Sequence, residues 1–196
     1  MVAKQVTKIR AIIFDCYGVL YTPLGEDYFR TRLKDYDRFA AAIENLRAQA
    51  NYGLITREQL HTALHDLTGI DLSVPVHSGW FRNQPLLDYI EQLRATYKVG
   101  MLSNISMRTI DDFFPSTERR TLFDDAIISS EVGLIKPYPA IYLLAADRLG
   151  VMPAEAVMID DTIVNCDGAR QAGMQAIVYT TFEAMKRELD SLLQRL

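Results

Sequence analysis

Short apolar runs alternate with amphipathic helical patterns over most of the chain. Each run is rich in β-branched residues and ends at a turn signal, which is typical of buried strands in a parallel sheet. The runs predicted as strands are 9–15, 98–103, 124–129, 156–160 and 175–180. The patterns with apolar residues on one helical face are 85–97, 139–150 and 164–173. This alternation predicts an α/β fold built on a doubly wound, Rossmann-like parallel sheet.

The pattern changes directly after the first strand. Residues 21–80 have helical periodicity almost throughout, and Thr56 followed by Gln59 is a capping-box pattern. We therefore predict that 21–80 form a small helical cap inserted into an α/β core made of 1–20 and 81–196. An insertion at this place would cover the carboxyl edge of the sheet, where open α/β sheets bind their ligands.

Composition limits the possible partners and compartments. A chain of 196 residues, 49% hydrophobic and 23% charged, suits one globular core with a small insertion. The net charge of −4 gives no electrostatic reason to expect nucleic acid or an anionic membrane as a partner. Two cysteines, Cys16 and Cys166, are too few for a disulfide scaffold, and no apolar run reaches a membrane-spanning length. We expect a cytoplasmic protein, and its oligomeric state is not predicted.

Polar side chains follow several of the predicted strands at the point where each strand ends. They are Asp15 after the first strand, Ser103 and Asn104 after the second, Lys136 in the loop after the third, and Asp160 and Asp161 at the end of the fourth. The carboxyl ends of strands in a doubly wound sheet converge on one crevice. The spacing along the chain is therefore compatible with a single site.

The residue types at these strand ends point to phosphoryl chemistry. Three carboxylates facing one crevice repel one another unless a cation lies among them, and a few hard oxygen ligands with room for water suit Mg²⁺. Lys136 and Ser103 beside such a cation would bind the oxygens of a phosphoryl group. Asp15 would then act as a nucleophile that forms an aspartyl-phosphate, with the metal reducing the repulsion between carboxylate and phosphate.

Four motifs occur in a fixed order along the chain: "FDCYGVL", "LSN", "GLIKPYPAIY" and "MIDDTIVNCDGA". In order and spacing they resemble the motifs of the haloacid dehalogenase superfamily of hydrolases. The helical insertion after the first motif also lies where many members of that superfamily carry a cap. The resemblance implies a Mg²⁺-dependent phosphohydrolase that acts on a small phosphorylated metabolite through an aspartyl-phosphate.

The resemblance also implies a role for each motif residue. Asp15 is the nucleophile, Ser103 and Lys136 bind the phosphate, and Asn104 and Tyr17 contact the substrate. The implied metal ligands are Asp15, the backbone carbonyl of Tyr17, Asp161 directly and Asp160 through water, with Asn165 supporting the metal site.

Tyr17 departs from the pattern of most phosphatases in the superfamily. They carry an aspartate here, which protonates the leaving oxygen and then activates water. Such acid–base help contributes roughly 10²–10⁴ in rate, and an ordinary tyrosine, with a pKa of about 10, is a poor base near neutrality. We therefore expect slow hydrolysis of alkyl phosphates, and faster hydrolysis of aryl, acyl or anomeric phosphates. A structural ring packed against the cap is a simpler interpretation of Tyr17 than an acid.

Tyr17 also leaves two other functions open. An "F-D-x-Y-G" first motif is found in the L-2-haloacid dehalogenases of the superfamily, which use no metal and release an unprotonated halide. Those enzymes lack the acidic pair that this chain has at Asp160 and Asp161. The third hypothesis is a protein that binds a phosphorylated metabolite or Mg²⁺ without turnover.

For several other polar residues in and near the predicted cap, a packing or surface role is expected rather than a role in a binding site. His61 and His65 lie four apart on a predicted helix, but without a companion ligand nearby a packed or solvated face is expected. Surface positions are expected for Arg30, Arg32, Arg38 and Arg47, with the alternative that one of them reaches the crevice and binds the substrate. No role in the site is expected for Arg82.

Overall fold

The structure is a computed structural model, and it describes residues 7–23, 29–72, 80–106 and 109–194. In chain order its strands and helices are β1 (Ala11–Phe14), β2 (Tyr21–Pro23), α1 (Tyr36–Asn51), α2 (Arg57–Thr68), β3 (Trp80–Arg82), α3 (Gln84–Leu93), β4 (Lys98–Ser103), α4 (Thr109–Phe113), α5 (Ser116–Leu122), β5 (Asp125–Ile128), α6 (Ser129–Val132), α7 (Pro139–Arg148), a 3₁₀ turn (Pro153–Glu155), β6 (Ala156–Asp160), α8 (Ile163–Gln171), β7 (Gln175–Val178) and α9 (Phe182–Leu193). Among these helices, none is both long enough and apolar enough to cross a membrane.

Five parallel strands form the central sheet in the order β5–β4–β1–β6–β7. The chain winds outward from β1 in both directions, which confirms the predicted doubly wound α/β fold. All four residues of β1 are apolar and buried, because helices cover both faces of the sheet.

Alternate residues of β1 build two separate hydrophobic layers. Ile12 and Phe14 pack on one face, with side chains from α3 and α9. Ala11 and Ile13 pack on the other face, with side chains from α7 and α8. This period-two alternation holds the end of β1 in the middle of the sheet edge.

Helices α1 and α2, which lie in the predicted cap, enclose a third, smaller apolar cluster centred on Ile43 and Leu64. The predicted capping box at the start of α2 is confirmed. The backbone N–H of Gln59 donates to Thr56 Oγ1 over 3.2 Å, and the backbone N–H of Thr56 donates to Gln59 Oε1 over 2.8 Å.

The segment predicted as almost wholly helical has a strand at each end, and there the prediction is wrong. β2 and β3 pair antiparallel, with Tyr21 opposite Arg82. The aromatic residues of these strands favour extended backbone, but three residues are too few to give a recognisable alternation, and the partners are far apart in sequence. The proposed boundaries of cap and core stay predictions, and residues 24–28 and 73–79 of the predicted cap lie outside the described residues.

Arg57 and Gly53 of the predicted cap contact the α/β core. Arg57 at the start of α2 forms an ion pair with Asp112 of α4, with 2.7 Å between guanidinium nitrogen and carboxylate oxygen. Gly53 follows α1 and lies so close to Ser130 that an added Cβ would be 2.3 Å from the Ser130 carbonyl oxygen. The loop between the cap helices is therefore fitted closely against the core.

Candidate active site

Three aspartates meet at the carboxyl edge of the sheet, where β1 and β6 end side by side. The backbone N–H of Asp15 donates to the carbonyl of Ile159 over 2.9 Å, which brings Asp15 next to Asp160. Asp161 follows in the chain, and one carboxylate oxygen of each aspartate lies within 4.8 Å of the others. The structure thus brings together the three predicted acidic ligands.

Lys136 places a buried ammonium group between two of these carboxylates. Its Nζ is 2.8 Å from Asp15 Oδ2 and 2.6 Å from Asp160 Oδ2. Burial lowers the pKa of Lys136, but the two carboxylates raise it by more, so the net shift is upward and the ammonium stays charged. One positive charge therefore faces three carboxyl groups.

Asn104 holds the backbone of Lys136 through a pair of hydrogen bonds. Its Nδ2 donates to the Lys136 carbonyl over 2.9 Å, and its Oδ1 accepts from the Lys136 N–H, also over 2.9 Å. The end of β4 thereby fixes the loop that carries the lysine. Any contact of Asn104 with a substrate would have to share these amide atoms.

Asp160 is fully buried and has several donors. The amide of Asn165 donates to both carboxylate oxygens, over 3.0 and 3.2 Å, and the backbone N–H of Thr162 donates to Oδ1 over 2.9 Å. With Lys136, these groups fix the orientation of the carboxylate. Asn165 therefore contacts the acidic cluster through Asp160.

The acidic cluster is short of positive charge. Burial raises the pKa of Asp15 to about 7, against the effect of Lys136 and with a contribution from Asp160. Burial and the charge of Asp160 also raise the pKa of Asp161. A cation among these carboxylates would favour their ionised forms.

Gly18 makes room for the carboxylate of Asp161. Its φ is +80°, and a Cβ at this position would lie 2.2 Å from Asp161 Oδ2. Only glycine fits here, because any side chain would be strained by this φ and would occupy the space of the carboxylate. No role for Gly18 was predicted from the sequence, although a glycine soon after the end of a strand was a usable signal.

Ser103 is the last residue of β4 and is fully buried. Its Oγ has no hydrogen-bond partner in the described part of the chain. Leaving a buried hydroxyl unpaired costs about 1–3 kcal/mol. An oxygen-rich ligand could supply the missing partner only by reaching this hydroxyl, and the role of Ser103 in phosphate binding stays a prediction.

Tyr17 is packed into an aromatic cluster at the base of the cap. Its ring centre lies 5.0 Å from that of Trp80 and 5.1 Å from that of Phe113. Burial raises the pKa of the phenol well above its usual value, so the hydroxyl stays neutral near pH 7. These ring contacts agree with the interpretation of Tyr17 as a structural ring.

Two adjoining cavities lie at this edge. The aspartate crevice, of about 260 Å³, is lined by Asp15, Tyr17, Gly18, Trp80, Asn104, Lys136, Asp161, Thr162 and Asn165. The second, which we call the cap cavity, has about 380 Å³ and is lined by Tyr17, Phe29, Arg47, Asn51, Leu60, His61, Leu64, Leu72, Trp80, Asn104, Ile105, Ser106 and Thr109. Three residues, Tyr17, Trp80 and Asn104, line both spaces and form the boundary between them.

The cap cavity contains residues that the sequence did not single out for a site. Trp80 was missed because its position depends on strand pairing between distant segments. His61 and Arg47, for which packed or surface positions were expected, both line this cavity. His65 is exposed, and the acidic cluster is the one group of potential metal ligands found among the described residues.

Arg82 is half-buried in contacts outside both cavities. Arg82 forms an ion pair with Glu118, and its guanidinium carbon lies 5.6 Å from the centre of the Phe114 ring. Exposed side chains are observed, as was expected, for Arg30, Arg32 and Arg38.

Comparisons with known proteins give a family and several relatives. The family model described as haloacid dehalogenase-like hydrolase matches residues 9–173. The "putative phosphatase YhcW" of Bacillus subtilis is 32% identical over 84 residues, which are 41% of this chain and 37% of that protein. The match thus spans little more than a third of that relative. The (S)-2-haloacid dehalogenase 4A of Burkholderia cepacia is 24% identical over 198 residues, covering 88% of this chain and 84% of the dehalogenase.

Solved structures share the fold at low sequence identity. The HAD family enzyme BT-2542 of Bacteroides thetaiotaomicron has a TM-score of 0.80 and 22% identity, covering 93% of this chain and 99% of that one. Another structure of that enzyme is a complex with magnesium and inorganic phosphate, with a TM-score of 0.75, 23% identity, and coverage of 89% of this chain and 96% of that one.

Proposed function

The chain belongs to the haloacid dehalogenase-like hydrolase family, and we propose that it is a Mg²⁺-dependent phosphohydrolase of a small phosphorylated metabolite. The observation that carries the proposal is the charge of the site. Asp160 and Asp161 accompany Asp15, while a single ammonium, that of Lys136, lies between two of them. When all four groups are ionised, two negative charges remain uncompensated, which a divalent cation would balance.

The donor set fits magnesium, because all three side chains offer hard carboxylate oxygens close together. Asp15 and Asp161 would hold the ion, together with the backbone carbonyl of Tyr17 and, through water, Asp160. When bound, the metal would neutralise charge between the attacking carboxylate and the phosphoryl oxygens. The Bacteroides enzyme of the same fold has been seen with magnesium and inorganic phosphate, which supports the proposal.

Asp15 is held in a fixed orientation for attack on phosphorus. Its Oδ1 accepts from the backbone N–H of Cys16 over 2.6 Å, and its Oδ2 faces Lys136. A phosphoryl oxygen entering the crevice would meet the same ammonium, so Lys136 would align nucleophile and substrate. A bond then forms between Asp15 and phosphorus while the bond to the leaving oxygen breaks. Water hydrolyses the aspartyl-phosphate to inorganic phosphate and the free carboxylate.

Tyr17 limits the substrates that this site would process quickly. Its raised pKa makes the neutral phenol a weaker acid and makes a phenolate base unavailable near neutrality. The leaving oxygen would therefore depart without a proton from this position. Phosphates whose leaving groups are stable anions are the best candidates.

The second candidate function is 2-haloacid dehalogenation, which Tyr17 favours. The Burkholderia dehalogenase also aligns with most of this chain. In that reaction Asp15 would displace halide from carbon, and water would hydrolyse the resulting ester without a metal. The acidic pair argues against it, since two further carboxylates would repel an anionic 2-haloacid unless a cation were bound.

The test is phosphate release from acetyl phosphate and p-nitrophenyl phosphate, each with Mg²⁺ and with EDTA, beside chloride release from 2-chloropropionate in EDTA. Asp15→Asn is the matched control for catalysis by contaminants. We expect phosphate release that requires both Mg²⁺ and Asp15. Metal-independent chloride release would support the dehalogenase instead, and ligand-dependent thermal stabilisation without any turnover would support a binding protein.

A further inference from the structure

We infer that the leaving group of the substrate is an aromatic ring that lies in the cap cavity, so that the substrate is an aryl phosphate. This inference rests on the proposed phosphohydrolase function and adds the class of substrate to it. The lining of the cap cavity points to a ring, and the chemistry at position 17 favours a leaving group that is a stable anion.

The cap cavity is positioned to hold the leaving group of a substrate whose phosphoryl group is bound beside Asp15. It adjoins the crevice that contains Asp15 and Lys136, and the two spaces share Tyr17, Trp80 and Asn104. A phosphoryl group bound beside Asp15 with its ester oxygen towards this boundary would place its leaving group in the cap cavity. A volume of about 380 Å³ falls within the roughly 300–1,000 Å³ usual for small-molecule sites.

The walls of the cap cavity are suited to a flat apolar group. Three aromatic rings contribute, those of Tyr17, Phe29 and Trp80, and the planes of Tyr17 and Trp80 are tilted by 59°. Aromatic rings pack well edge to face or offset against such walls. Aliphatic side chains complete the apolar lining, namely Leu60, Leu64, Leu72 and Ile105.

Several polar groups in the cavity wall already have hydrogen-bond or ion-pair partners. The hydroxyls of Ser106 and Thr109 are hydrogen-bonded over 2.7 Å, and the Asn104 amide is bound to the backbone of Lys136. The Arg47 guanidinium is paired with Glu44 over 2.8 Å. A polyol in this cavity would lose hydrogen bonds to water against mostly apolar walls, whereas an aromatic ring would not.

The lack of an acid at position 17 favours a substrate whose leaving group is a stable anion, and an aryl phosphate is such a substrate. A phenol ionises with a pKa of about 10, as tyrosine does, so an aryl oxide departs far more easily than an alkoxide. In the first step an Asp15 oxygen forms a bond to phosphorus and the phosphorus–aryl oxygen bond breaks. The aryl oxide leaves with that electron pair and takes a proton from water. A second water then cleaves the aspartyl-phosphate, so the sum is aryl phosphate and water giving phenol and inorganic phosphate.

The test compares p-nitrophenyl and phenyl phosphate with acetyl phosphate in the presence of Mg²⁺. Acetate is the better leaving group but is small and has no ring, so chemistry alone would favour acetyl phosphate. We expect kcat/KM for p-nitrophenyl phosphate to exceed that for acetyl phosphate by at least tenfold. With Asp15→Asn and Mg²⁺, calorimetry should show phenylphosphonate binding at least tenfold more tightly than methylphosphonate.

The variant Leu60→Gln replaces a half-buried apolar side chain in the wall of the cap cavity with a polar one. We expect it to reduce the aryl-to-acetyl ratio of kcat/KM by at least fivefold, while Leu143→Gln, on the exposed side of α7, leaves the ratio unchanged. If acetyl phosphate is hydrolysed with Mg²⁺ but the ring gives no advantage in rate or binding, the inference is overturned and the phosphohydrolase stands. If no phosphate ester or acyl phosphate is hydrolysed, the proposed function itself fails.

Discussion

The ammonium of Lys136 lies 2.8 Å from the carboxylate of Asp15, and both side chains are buried. The same ammonium lies 2.6 Å from the carboxylate of Asp160. The single charge of the lysine therefore neutralises only part of the negative charge at the carboxyl edge of the sheet. Asp15, the proposed nucleophile, is thus held in place by a group that would also bind the phosphoryl oxygens. Removal of either residue should therefore abolish catalysis, while only removal of Lys136 should lower stability.

Lys136→Met should abolish turnover and destabilise the protein. The substitution leaves Asp15 and Asp160 without their buried partner, and breaking such a pair costs about 3–5 kcal/mol. Melting temperatures measured with EDTA should fall clearly below wild type, and Mg²⁺ should restore part of the loss. A variant that keeps wild-type activity would contradict the role given to this lysine.

Asp15→Asn should abolish turnover without lowering stability. Lys136 keeps its contact with Asp160, and one member of a repelling cluster is removed. We expect a melting temperature equal to wild type or higher in metal-free buffer. Substantial residual activity would rule out Asp15 as the nucleophile.

The stability difference between Asp15→Asn and wild type should depend on pH. Burial raises the pKa of Asp15 in the folded protein to about 7, from 3.8. Ionisation of this carboxyl is therefore less favourable in the folded protein than in the unfolded chain. The free energy of unfolding of wild type falls for this reason as pH rises from about 4 to 7. The advantage of the variant in metal-free buffer should grow over this window. A difference in melting temperature between the two proteins that stays constant with pH would contradict the raised pKa of Asp15.

Tyr17→Asp should accelerate hydrolysis of alkyl phosphates by roughly 10²–10⁴, because it restores an acid–base group beside the nucleophile. Tyr17→Phe is the matched control, since it keeps the ring that packs on Trp80 and Phe113. Rates with Tyr17→Phe should stay within about twofold of wild type. A large loss would mean that the hydroxyl takes part in the reaction.

Gly53→Ala should disturb the contact between cap and core. An added Cβ would lie 2.3 Å from the carbonyl oxygen of Ser130, so the loop must move away. Gly69→Ala is the control, because Gly69 has nearly the same φ, +72° against +73°, with no atom within 4 Å of its Cβ. The control carries the backbone strain alone, of about 1–2 kcal/mol. Gly53→Ala should therefore have the lower melting temperature and the higher KM, and equal behaviour of the two would contradict a close cap contact.

The features predicted well from the sequence depend on local patterns. The run that ends at Asp15 reads as a buried strand because four apolar residues are covered on both faces, and the Thr56–Gln59 pair identifies a helix start on its own. The features that were missed depend on long-range pairing. Trp80 reaches Tyr17 only because β3 returns beside β2, and no local pattern in either short strand indicates that pairing.

The most direct measurement is the intact mass of the protein after acid quenching during turnover of acetyl phosphate. The account predicts an adduct with the mass of one phosphoryl group, mapped to Asp15, present with Mg²⁺ and absent both with EDTA and in Asp15→Asn. Turnover without this adduct would contradict the aspartyl-phosphate. A 1-carboxyethyl ester on Asp15, formed from 2-chloropropionate in EDTA as chloride leaves, would identify a dehalogenase instead.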